Sequence, residues 1–176
     1  MLVNDYQLFI DLDGVLVDFD AGVRLAVGKD PAELHPRQMW PVLARTPGFY
    51  DRLSWISDGR ELWDAVAHLE PTILTGLPMG KWAEPQKRSW CSRELGGEVP
   101  VITGLSRHKA ELALAWLDEN GLSERIPVLV DDRLSLAESW EAMGGRFILH
   151  LGAQSSISAL QNLGFPLAED ADIRRQ

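Results

Sequence analysis

The stretch LFIDLDGVLVDF, Leu8 to Phe19, decides how the rest of the chain is read. It opens as an apolar run suited to a buried strand and is then broken by Asp11, Asp13 and Gly14. Two carboxylates at the end of a buried strand are costly unless something pairs with them. Extended backbone places residues i and i+2 on one side, so both acids are expected to face the same space. Four further apolar segments follow: PTILTG (71–76), VPVITG (99–104), IPVLVDD (126–132) and RFILHL (146–151). Their near-continuous hydrophobicity suits parallel strands covered on both faces. Helix-like segments separate them at 58–70, 84–97, 106–121 and 135–145. This alternation predicts an α/β fold, a doubly wound parallel sheet of about five strands.

Helix boundaries carry their own signals. Ser106 or a neighbour is expected to cap the helix whose apolar positions include Leu112, Leu114, Ala115 and Trp116. Gly96-Gly97, Asn120-Gly121 and Gly144-Gly145 read as C-terminal stops. The interval from Ala21 to Ser57 holds Pro31, Pro36, Pro41 and Pro47 and no clear strand, and reads as a small helical insertion. The expected division is therefore a core of 1–20 and 58–176 with an inserted unit at 21–57.

Composition narrows the function. With 176 residues and 45% hydrophobic content, the chain can bury one substantial core. Its 17 basic residues against 26 acidic ones give a net charge of −9, which argues against polymeric nucleic acid or an anionic membrane as a partner. The single Cys91 cannot form an internal disulfide and reads as a core residue of a reducing compartment. No leader-like or membrane-spanning pattern is present, so a soluble cytoplasmic protein is expected.

Chemistry in an open parallel sheet concentrates at the carboxyl ends of the strands. Those ends carry Asp11 and Asp13, Thr75-Gly76, Thr103-Gly104, and Asp131-Asp132. Two acidic pairs at two strand ends suit one hard divalent cation, Mg²⁺ above all, bound through oxygen.

In their order and spacing these segments resemble the haloacid dehalogenase-like hydrolases, in particular their phosphatases. DLDGV is similar to the first motif of that family, Thr75 of ILTG to the second, Lys109 of SRHKAEL to the third, and Asp131-Asp132 of VDDR to the fourth. The resemblance implies a Rossmann-like core and a cap inserted after the first strand. It also implies phosphomonoester hydrolysis through an aspartyl-phosphate. Asp11 would be the nucleophile and Asp13 the general acid and base. Thr75, Gly76 and Lys109 would bind phosphate, and Mg²⁺ would be held by Asp11, the Asp13 carbonyl and Asp131, with Asp132 either a further ligand or the holder of a metal-bound water. Lys81 and Lys87 are alternatives for the lysine, although Lys87 reads as lying on the exposed face of its helix. Arg107 and His108 flank Lys109, and His108 is not expected to act as a base.

A narrower resemblance, to the 5′(3′)-deoxyribonucleotidase-like branch, rests on DLDGVLVDFD, PGFYDRL, ILTGLP and VDDR. It implies a nucleoside monophosphate as substrate, with Phe19 and Phe49 lining the leaving-group pocket. Two other readings remain: a phosphatase of this fold for another small phosphorylated metabolite, and a non-catalytic metal- or phosphate-binding module.

Overall fold

The computed structural model describes residues 5–168; the first four and last eight residues of the expected core lie outside this range. Five parallel strands form one sheet: β1 (Tyr6–Ile10), β2 (Thr72–Gly76), β3 (Val101–Gly104), β4 (Ile126–Asp131) and β5 (Arg146–Leu149). Their order is β3-β2-β1-β4-β5. The chain builds outward from β1 through β2 to β3, then crosses back to lay β4 against β1. The reversal opens a crevice at the carboxyl ends of β1 and β4.

Alternate strand residues feed two cores. Leu8, Ile10, Ile73, Val128 and Val130 pack on one face, while Phe9, Leu74 and Leu129 pack on the other. The second face is covered by α5 (Lys109–Glu119) and α6 (Ala137–Ala142), with Phe9 edge-on to both Trp116 and Trp140. The first face is covered by α3 (Gly59–Val66), α4 (Ala83–Glu94) and α7 (Ala153–Asn162). Fully burying one such large apolar side chain stabilises the fold by roughly 1.5–3 kcal/mol.

The insertion leaves and rejoins the core through a narrow neck. Val17 pairs with Trp55, the Asp18 amide donates to the Ser54 carbonyl, and the Ile56 amide donates to the Leu16 carbonyl. Between these points lie α1 (Phe19–Val27), α2 (Pro36–Arg45) and short 3-10 turns at Pro31–Glu33 and Tyr50–Arg52. Pro31 and Pro36 open their segments, where a missing N–H costs nothing. The Asp18 side chain caps α1 by accepting from the Ala21 amide at 2.8 Å.

Some details differ from the sequence reading. α5 begins at Lys109, Ser106 makes no capping hydrogen bond, and the buried positions are Lys109, Ala110, Ala113 and Leu117 rather than Leu114 and Ala115, which are exposed. α7 was not expected, because its serines dilute the apolar pattern. No helix among the described residues is long and apolar enough to cross a membrane.

Candidate active site

β1 ends at Ile10, one residue before the first acid. The Asp11 amide still donates to the Val130 carbonyl at 3.0 Å, so β4 fixes Asp11 at the crevice. Asp13 lies beyond the strand, in a turn completed by Gly14 at φ +76°. The i+2 argument from extended backbone therefore does not apply. Both acids nevertheless line one cavity of about 390 Å³, because the chain turns there.

Each acid has its own lysine. The Lys109 ammonium lies 2.7 Å from Asp11 Oδ1 and donates to Asp131 Oδ2 at 2.6 Å, tying β1 to β4. Its approach to Asp11 Oδ1 is an ion pair outside hydrogen-bond geometry, which leaves that buried oxygen without a donor. Burial opposes the Lys109 charge, but Asp11 and Asp131 outweigh it and hold its pKa above the usual lysine value.

The Lys87 ammonium donates to Asp13 Oδ2 at 2.6 Å, Thr75 Oγ1 at 2.9 Å and the Gly76 carbonyl at 2.8 Å, and lies 4.4 Å from the centre of the Tyr50 ring. Lys87 is thus fully buried, which corrects the reading of it as a surface lysine. Lys81 is exposed and lines none of the cavities described around the site. The spacing on α4 did contain the answer: Ala83, Trp90 and Cys91 are buried at positions −4, +3 and +4 from Lys87. Thr103 looks like Thr75 in sequence and lies beside it in register, but its hydroxyl is engaged with Glu84 and Arg88.

The remaining carboxylates complete an acidic cluster. Asp131 Oδ1 accepts from the Arg133 amide at 2.9 Å, which leaves Oδ2 to Lys109. Asp132 packs under Gly14, where an added Cβ would lie 2.9 Å from the Asp132 Cγ and make that side chain shift; the positive φ at 14 is what favours glycine. Oxygens of Asp11, Asp131 and Asp132 lie within 4.8 Å of one another. Burial, reinforced by Asp11 and Asp131, pushes the Asp132 carboxyl up to about 6. Burial also raises Asp13, with Asp11 adding to the shift and Lys87 opposing it.

These residues fit a divalent cation. Four carboxylates face two ammonium groups, an excess of two negative charges, and oxygens of three of them, Asp11, Asp131 and Asp132, converge. An all-oxygen donor set of this kind suits Mg²⁺.

The aromatic residues of the insertion divide into two groups. Phe19 lines the cavity with Trp40, whereas Phe49 is buried against Phe19, Tyr50 and Trp82 and does not line it. Phe49 is thus part of the hydrophobic core that the insertion shares with one face of the sheet. Ser106 and Arg133 also line the cavity, although the sequence reading does not single them out for it. Ser106 follows the end of β3 by two residues, so the strand-end rule alone would have found it.

This five-stranded fold is the one found in haloacid dehalogenase-like hydrolases. A hydrolase of that family from Streptococcus pneumoniae superposes with a TM-score of 0.58 and 12% identity, over 91% of this chain and 92% of that one. A second, from Xanthomonas campestris, gives 0.52 and 14% over 98% and 95%. No protein-family model and no curated protein matches the chain.

Proposed function

We propose that the chain is a Mg²⁺-dependent phosphomonoester hydrolase of the haloacid dehalogenase type. The observation that carries this reading is the buried Lys109 bridging Asp11 and Asp131 beside Asp132, with Asp13 on the same cavity. An Asp11 oxygen attacks phosphorus, forms an aspartyl-phosphate and expels the leaving-group oxygen. Asp13 supplies the proton that this oxygen needs and then takes one from the water that cleaves the intermediate. A carboxyl held above its ordinary pKa by burial suits the first of these tasks. Lys109 offsets the charge on Asp11 and the incoming phosphate, while Thr75, buried and held by Lys87, backs the cavity wall on which Gly76 and Ser106 are the groups that face a phosphate oxygen. A cation held by Asp11, Asp131 and Asp132, together with the Asp13 carbonyl, would neutralise charge building on the phosphoryl oxygens.

The inserted helices form the cap over this site. Phe19 and Trp40 on its cavity wall support a nucleoside monophosphate as substrate. A panel of phosphomonoesters with Mg²⁺, run on wild type and Asp11→Asn, tests the reading: turnover abolished by the substitution supports it, and an inactive wild type or an active variant removes it. Metal binding without turnover would instead favour a non-catalytic metal-binding module.

A further inference from the structure

A second cavity, of about 770 Å³, opens directly from the first and shares Asp13, Trp40, Gly76, Ser106 and Arg133 with it. Its walls are Trp40, Tyr50 and Trp82, and three arginines reach it: Arg37 from α2, Arg107 from the turn after β3, and Arg133 after β4. Four other arginines of this acidic chain are matched with carboxylates. Arg24 pairs with Asp30, Arg60 with Glu94, Arg88 with Glu84 and Arg93 with Asp51. Among the described residues, none of the three arginines on this cavity takes part in an ion pair. Like-charged groups gathered on one cavity repel each other, and an anion bound between them reverses that sign.

The reacting phosphate does not account for them. It is served by Lys109 and a cation, and Arg37 and Arg107 line only the larger cavity. The opposite wall, toward α1, carries Asp18 and Asp20, so a second negative charge is disfavoured there. We propose that the substrate's leaving group carries a second anionic group, phosphate or carboxylate, held by Arg37 and Arg107, with Arg133 between the two anions and a flat body against the aromatic wall. This rests on the phosphomonoesterase reading above and narrows its substrate to a phosphomonoester bearing a second anion, such as a nucleoside bisphosphate, in place of a plain nucleoside monophosphate.

The test compares kcat/KM within matched pairs at low salt with Mg²⁺. One pair is para-carboxyphenyl phosphate against the neutral, near-isosteric para-carbamoylphenyl phosphate. The other is thymidine 3′,5′-bisphosphate, followed by loss of its 5′-phosphate, against thymidine 5′-monophosphate. The expected result is a preference of about tenfold or more for the doubly anionic member of at least one pair, weakening at high salt. In the double variant Arg37→Gln, Arg107→Gln the ratio falls toward one. Turnover of both members of both pairs at equal efficiency overturns the proposal and leaves the phosphatase reading intact. A preference unchanged in the variant also overturns it. Failure to hydrolyse any of the four by a protein active on the broader phosphomonoester panel overturns the proposal alone, and inactivity on that whole panel removes the phosphatase reading and the proposal with it.

Discussion

Lys87→Met removes the cation from a pocket that offers it three oxygens and an aromatic face. Methionine fills similar volume, so the loss is electrostatic: the Asp13 carboxylate, the Gly76 carbonyl and the Thr75 hydroxyl all lose their partner. Deleting one member of a buried ion pair costs about 3–5 kcal/mol. The Asp13 side chain keeps 27% of its exposure, so water recovers part of this and the lower end, about 3 kcal/mol at neutral pH, is expected. The loss also depends on pH. Asp13 binds its proton more tightly folded than unfolded, so the folded state carries more protons above the ordinary aspartate value and stability falls as pH rises through that window. Lys87 opposes this shift, and its removal raises the folded pKa further. The deficit of the variant therefore grows as pH rises above the ordinary aspartate value, about 4. Urea denaturation of both proteins across that range measures it. A deficit below about 1 kcal/mol at pH 7, or one flat with pH, would refute the pairing of Lys87 with Asp13.

Two further outcomes follow from the site. Mg²⁺ at about 100 times its dissociation constant should stabilise the protein by about 2.7 kcal/mol in thermal unfolding. The gain should shrink below about pH 6, where Asp132 takes up its proton, and vanish in Asp131→Asn; no shift, or an undiminished one in that variant, contradicts the acidic cluster as the metal site. Gly14→Ala should cost about 1–2 kcal/mol, from the left-handed backbone at this position. Urea denaturation measures it, and a cost below about 0.5 kcal/mol would contradict the positive φ at Gly14.

Much of the fold is legible in the sequence because buried parallel strands leave long apolar runs, and because Asp11 and Asp131 interrupt those runs where β1 and β4 end. Gly96, Gly121 and Gly144 mark helix ends because each adopts the positive φ that glycine alone takes cheaply. Lys87 was obscured by a conflict between two signals. A lysine is usually a surface residue, and only the buried neighbours on its helical face oppose that expectation. The aromatics of the insertion were ambiguous for another reason: Phe19, Trp40, Phe49 and Tyr50 are all large and apolar, and which of them faces the cavity depends on how the short helices dock on α4. That docking is set by long-range contacts, such as the Trp90 indole donating to the Leu53 carbonyl and the Tyr50 amide donating to Gln86. The arginines on the second cavity come from three separate segments, so no local pattern joins them.

The central claim is that Asp11 becomes covalently phosphorylated. Rapid acid quench of the Mg²⁺-loaded protein with a turned-over phosphomonoester, followed by peptide mass spectrometry, tests it most directly. The account predicts a phosphoryl group on Asp11, in the peptide containing Leu8–Phe19, that is absent from Asp11→Asn. Turnover with no adduct at Asp11, or an adduct on another residue, would contradict it.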